Sequence, residues 1–258
     1  MQIFFLLISF VFGLIIGSFL NAVIYRLYKG KSLGGFSACV HCKHRLFAKD
    51  LIPILSFFML GAKCRYCKEK ISWQYPIVEL STGIVFALFT LEMLTLSGLF
   101  TSGDYLVLMY EFITASLLIA IFTFDFKYYL IPDVLVLSGV VVGLVYRLTA
   151  GVSIFDGLLG AGLIFGFFGL LYLMSGGKWI GFGDVKLGLF LGIVLGVKMV
   201  LLMLMLAYIS GAVVGVVMIL AKKTTMKGIL PFGTFLTSAS LAVMLWGEEL
   251  LAWYLNLF

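Results

Sequence analysis

The chain predicts an all-α polytopic membrane protein of about eight transmembrane helices, with a small cytoplasmic zinc-ribbon-like domain between the first two. Three observations predict it. The sequence is 63% hydrophobic and only 12% charged, where a soluble domain carries about a quarter charged residues. Apolar runs near the length needed to cross a bilayer, about 17 to 25 residues, recur along it. All four cysteines fall inside its one extended polar segment.

The apolar runs are 2–25, 77–98, 105–124, 131–149, 155–175, 183–197, 200–221 and 231–246, the sixth being short. Pro76 and Pro132 stand at helix beginnings, where a missing N–H does no harm. The first run has no basic residue ahead of it and no small-residue cleavage pattern, so it reads as retained. The division is therefore 1–25 as the first span, 26–75 as the polar domain and 76–258 as the remaining membrane-embedded part.

Charge sets the orientation. Ten of the 18 Lys and Arg lie between Arg26 and Lys70. If that segment is cytoplasmic, alternation places Lys127, Lys178, Lys186, Lys222, Lys223 and Lys227 on the same side and leaves Arg147 and Lys198 outside. Both termini then face outward. The net charge of +6 is spread over several membrane loops, which suits anionic lipid head groups and excludes a nucleic-acid surface.

In the first span Ser18 and Asn21 share a helix face and read as contacts to a neighbouring helix. Arg26 follows at the interface. The polar segment carries Cys39-Val-His-Cys42 and Cys64-Arg-Tyr-Cys67 with 21 residues between the pairs, close to a four-thiolate zinc pattern. About fifty residues bury too little apolar surface to stand alone, and a structural zinc contributes roughly 10 to 16 kcal/mol. A pair of disulfides is the alternative, and a reducing compartment argues against it. His41 and His44 are either substitute ligands or solvated neighbours. Glu79 opens the second span, as a dipole partner of the helix start or as a functional group. Glu92, Asp104 and Glu111 come next, Glu111 the deepest and without an evident partner.

The centre of the reading is Gly181-Phe182-Gly183-Asp184, a carboxylate at the threshold of an apolar helix. A carboxylate in a bilayer is costly. The two glycines are expected to supply positive φ or close backbone approach, so that Asp184 faces protein rather than lipid. The competing account is a loop with a dipole-favourable Asp. Two spans separate Asp125 from Asp184, so both return to the cytoplasmic boundary. Asp133, directly after Pro132, competes with Asp125 as the partner but sits in a capping position. Two carboxylates about 3 Å apart share a proton, giving one general base and one general acid, which is the chemistry of peptide hydrolysis by water. A non-enzymatic transporter or a component of a secretion or pilus assembly also accommodates membrane acids, but a transporter favours midplane charges and internal repeats.

At these residues the chain resembles a known family. Gly181-Phe182-Gly183-Asp184 is similar to the Gly-x-Gly-Asp signature of membrane aspartyl proteases. Asp125 with Pro132-Asp133 resembles the bacterial type IV prepilin peptidases, as do Gly17-Ser18-Phe19-Leu20-Asn21, Tyr25-Arg26, both Cys pairs, Tyr75-Pro76 with Glu79, and Pro231-Phe232-Gly233. The resemblance covers nearly the whole chain. It implies a bifunctional enzyme of the bacterial cytoplasmic (inner) membrane serving type IV pili and type II secretion. Such an enzyme cuts the leader of prepilins and pseudopilins after Gly, with Asp125 and Asp184 as the catalytic pair and Gly181 and Gly183 in support. It then N-methylates the new terminal residue with S-adenosylmethionine, an activity associated with the polar segment. The zinc ligands implied are Cys39, Cys42, Cys64 and Cys67. The chain departs from the pattern at Gly61-Ala62, where the family commonly has Arg-Gly, and at Thr234, where Pro often stands.

Overall fold

The computed structural model describes residues 2–97, 102–223 and 230–256. Lys227, one of the basic residues expected inside, lies outside them. Eight helices follow in order: α1 (Gln2–Tyr28), the short α2 (Leu55–Met59), α3 (Gln74–Ser97), α4 (Ser102–Tyr128), α5 (Asp133–Thr149), α6 (Ile154–Ser175), α7 (Phe182–Leu220) and α8 (Phe232–Leu255). A 3₁₀ turn covers Ala48–Asp50. The chain packs as two units, 1–120 and 121–258, divided within α4.

In the first unit α1 lies along α3. Glycine makes this possible at Gly17, where a Cβ would stand 2.6 Å from the Glu79 Cα. Small residues at such seams replace the hydrophobic drive that lipid cannot provide. Phe86 of α3 stacks on Phe112 of α4 with ring centroids 3.9 Å apart.

The polar segment folds as two copies of one small motif. Cys39 N–H donates to His44 O and Lys43 N–H to Cys39 O, while Cys64 N–H donates to Glu69 O and Lys68 N–H to Cys64 O. Single antiparallel bridges, Ala38 with Arg45 and Lys63 with Lys70, close the two loops. In each copy the residue after the second cysteine takes positive φ, 59° at Lys43 and 62° at Lys68. Asp50 ties the copies together, accepting from Phe47 N–H, Arg65 Nε at 2.6 Å and the Tyr66 hydroxyl at 3.0 Å. Burial would raise its carboxyl, but those donors hold it below the usual range.

In the second unit α7 packs on α6, α5 and α8. A Cβ on Gly192 would run into the Ala161 backbone, so α6 and α7 approach nearly backbone to backbone. Among the described residues six helices are long and apolar enough to cross a membrane: α1, α3, α4, α6, α7 and α8. The expected number was about eight. The difference has two causes. Helix α5 has only 17 residues, and the sixth and seventh apolar runs lie within one 39-residue element, α7.

That element is not straight. Gly196 has φ 74° and ψ 178°, and Asp184 and Tyr208 stand equally far on either side of it. The charge of Asp184 acts on the Tyr208 hydroxyl, although an unbroken helix would hold the two residues about 36 Å apart. The second arm therefore doubles back along the first, and the two expected spans reappear as a hairpin.

Arg147 and Asp156 close its tip. Arg147, 5% exposed, donates to Ile193 O at 2.5 Å, Val194 O at 3.4 Å and Ser153 O at 2.6 Å. These include carbonyls orphaned where the first arm ends. Asp156 accepts from Val197 N–H, at the start of the second arm, at 3.1 Å and pairs with Arg147 at 3.5 Å. Each arm thus receives at the break the charge its dipole favours.

Candidate active site

The end of α4 and the starts of α7 and α8 supply the site. Asp125 sits in the last turn of α4 and is 6% exposed; Asp184 sits in the first turn of α7 and is 8% exposed. Helix α8 begins after Pro231, and its first N–H groups point at Asp125. Thr234 N–H donates to Oδ2 at 3.0 Å, and Gly233 N–H donates as well. Asp184 turns back on its own helix start, where Oδ2 accepts from Gly181 N–H at 3.3 Å.

The two carboxylates approach the same part of the second unit. The charge of Asp125 acts directly on Asp184, and Ile131 packs between the glycines that flank them. A Cβ on Gly183 would meet Ile131 Cβ at 3.2 Å. A Cβ on Gly233 would meet Ile131 Cδ1 at 3.0 Å and Asp125 Oδ2 at 2.8 Å. Glycine serves here as space rather than as backbone freedom. Gly181 has an ordinary extended φ of −77°, and Gly183 is helical, so the positive φ anticipated for this pair is not used. Positive φ appears further along the same helix, at Gly196. Asp133, the rival partner, is exposed and ion-pairs Lys186.

Aromatic rings wall the site. Tyr172 packs on Phe182 with centroids 5.5 Å apart, Phe168 on Phe232 at 6.0 Å, and Tyr208 on Phe232 at 5.1 Å. Tyr208 had no signal in the sequence, because only the hairpin brings it to Asp184. The arrangement gives two buried acids among apolar side chains, each accepting from backbone N–H groups. In such a medium charges interact far more strongly than in water.

The four thiol sulfurs lie within 4.8 Å of one another, near the spacing of about 3.8 Å set by a tetrahedron of about 2.3 Å zinc–sulfur bonds. All four cysteines are free. Burial raises Cys39, but N–H donors of Cys42 and His41 and the neighbouring thiols outweigh it and bring the group down to about 7. At Cys67 the Glu69 N–H pulls downward, yet burial and the crowd of three thiols push it up to about 11. The opposite shifts of Cys39 and Cys67 put thiolate and thiol side by side, and a divalent cation favours the deprotonated form of each ligand. The cluster can hold a metal such as zinc. His44 stacks on Tyr66 with centroids 3.7 Å apart, and neither His41 nor His44 belongs to the cluster.

Motifs read separately in the sequence meet at a second polar cluster. Asn21 Nδ2 donates to Tyr75 O at 3.1 Å and Gln74 Nε2 donates to Asn21 Oδ1 at 3.2 Å. Ser18 hydrogen-bonds Glu79, which also accepts from Ile54 N–H at 2.7 Å. Glu111, for which the sequence offered no partner, lies in the field of Glu92.

Apolar helices of membrane-crossing length, two of them carrying buried carboxylates at their ends, in a chain that also holds a four-cysteine cluster, define a multi-pass membrane protein. Comparison with known proteins makes the assignment particular. Residues 11–93 match the bacterial peptidase A24 N-terminal domain, and 112–216 match the type IV leader peptidase family. A prepilin leader peptidase/N-methyltransferase of Aeromonas hydrophila is 32% identical over 96% of this chain and 93% of its own length. Relatives of the same description from Pseudomonas aeruginosa and Bacillus subtilis are 31% and 32% identical, over 98% and 97% of this chain and 94% and 98% of theirs. No solved structure matches. The chain belongs to the type IV leader peptidase family.

Proposed function

We propose that this protein is a prepilin leader peptidase that cleaves by a two-Asp mechanism and then N-methylates the new amino terminus. One observation carries the peptidase reading: Asp125 and Asp184, 59 residues apart in sequence, are both buried, at the end of α4 and the start of α7, around the same Ile131 side chain, with the charge of Asp125 acting on Asp184. Both also fall inside the segment that matches the leader peptidase family.

The two acids divide the work by their donors. The Gly233 and Thr234 N–H groups at the start of α8 favour an anion at Asp125, so Asp125 is the base and Asp184 holds the shared proton. Asp125 takes a proton from water as its oxygen attacks the scissile carbonyl, and Asp184 donates to the carbonyl oxygen. When the C–N bond breaks, the leaving amine receives a proton from Asp125, and Asp184 recovers its own from a hydroxyl of the collapsing gem-diol as the carbonyl re-forms.

Zinc held by Cys39, Cys42, Cys64 and Cys67 orders the polar segment, and S-adenosylmethionine supplies the methyl group when bound. The substrates are prepilins or pseudopilins with a Gly before the cut. The enzyme lies in the bacterial cytoplasmic membrane among anionic lipids, with both termini outward and the Asp pair near the cytoplasmic face. Incubating the purified protein with a prepilin, with and without methyl donor, and weighing the product tests both activities. A cut after Gly that disappears in Asp125→Asn and in Asp184→Asn is the expected result; full activity in either variant rejects the mechanism.

A further inference from the structure

Glu79 is a buried carboxylate without a counter-charge. It is 6% exposed, and its two partners, Ile54 N–H and Ser18, are neutral. The ion pairs among the described residues use Asp50, Asp133, Asp156 and Glu248, so none involves Glu79. A buried carboxylate is costly unless paired. A carboxylate also offers about four acceptor positions, more than two donors fill.

Three walls surround it. Helix α1 presents Ser18 and, through Gly17, its backbone. The start of α3 is locked to α1 by Asn21, 1% exposed, through its bonds to Tyr75 and Gln74. The third wall is the turn Pro53-Ile54-Leu55, closed by Leu55 N–H to Pro53 O at 2.5 Å, with Ile54 at φ 61° and ψ −53°. That is the rare form of γ-turn, and a β-branched residue is strained in it. Helices fix two walls, whereas the third, which donates to Glu79, is a strained turn.

We propose that Glu79, beneath this turn, is a subsite for a primary α-ammonium group. The inference rests on the methyl-transfer reading, since both reactants of that step, the new amino terminus and S-adenosylmethionine, carry such a group. The ammonium provides the missing counter-charge and shares the carboxylate with Ser18, and easing of the Ile54 turn admits it.

Binding tests this directly. A short peptide beginning with Phe is titrated into the zinc-loaded, detergent-solubilised protein, first with a free amine and then acetylated; S-adenosylmethionine is titrated separately. A preference of about tenfold or more for the free amine that disappears in Glu79→Gln, survives in Asp184→Asn and partly returns in Glu79→Asp assigns the subsite to the substrate. A comparable loss of S-adenosylmethionine affinity in Glu79→Gln assigns it to the methyl donor. Unchanged affinities in a Glu79→Gln protein that retains its zinc overturn the proposal. If Glu79→Gln does not fold, wild-type protein that binds the free and acetylated peptides equally, and S-adenosylmethionine as well as its desamino analogue, overturns it too. Absence of a methyl mass on wild-type product rejects methyl transfer itself and leaves the binding comparison readable.

Discussion

Asp125 and Asp184 each accept from backbone N–H groups at a helix start. Asp125→Asn and Asp184→Asn are expected to lower leader cleavage by a factor of about 100 to 10,000, read by mass spectrometry of the product. Asp133→Asn removes only the exposed pair with Lys186 and changes cleavage by no more than about a few-fold. Gly233→Ala probes space rather than charge. Its Cβ would lie 2.8 Å from Asp125 Oδ2, and the displaced carboxylate costs about a hundredfold in rate. Wild-type cleavage in Gly233→Ala would mean that Asp125 is not where the water is activated. Asp125, Asp184 and the Pro231-Phe232-Gly233 motif were legible in the sequence as chemistry-bearing types. That the motif's N–H groups serve Asp125 was not, because hydrogen bonds between distant segments leave no local pattern.

Elements act through their breaks and closures. The α7 hairpin depends on Gly196, which combines positive φ with the Asp156 carboxylate lying against its Cα, and on Arg147, which caps the first arm. Arg147→Met leaves the carbonyls of Ile193 and Val194 unpaired and destabilises the fold by about 2 to 5 kcal/mol, measured as loss of unfolding resistance in detergent. In the polar segment Lys43 and Lys68 occupy the left-handed region, which costs a side chain roughly 1 to 2 kcal/mol. The double change Lys43→Gly with Lys68→Gly therefore slows removal of the metal by a chelator. Metal binding must displace thiol protons, from Cys39 at about 7 and Cys67 at about 11. Apparent zinc affinity accordingly climbs as pH rises from about 6 to about 8, and acid releases the ion. Titration with a competing chelator reads the slope; a flat profile would exclude thiolate ligation.

At the scale of the whole molecule, the placement of basic residues predicts the orientation. Lys198 lies just past the hairpin tip and Lys178 lies before α7 begins, so the two are assigned opposite faces. An impermeant thiol reagent applied to intact cells should modify Lys198→Cys and leave Lys178→Cys untouched until the cells are opened. Labelling of both from outside would reverse the topology. Membrane class and placement of the cysteines were readable at this scale because hydrophobic length and charge asymmetry are properties of sequence alone; the number of spanning helices was not, because two apolar runs share α7 and α5 is short.

The amino-acid order by itself determined that the chain enters a bilayer, that Cys39, Cys42, Cys64 and Cys67 have metal-ligand spacing, and that Asp125 and Asp184 are carboxylates where lipid would reject them. Only the tertiary structure decided that α7 folds back at Gly196 and brings Tyr208 beside Asp184, that Ile131 fits between two glycines, and that Glu79 is buried with neutral partners. The physical reason is range: hydropathy and ligand spacing are summed over neighbours in the chain. A helix reversal, a shared electrostatic field or a missing counter-charge depends on groups that become neighbours only after the helices pack.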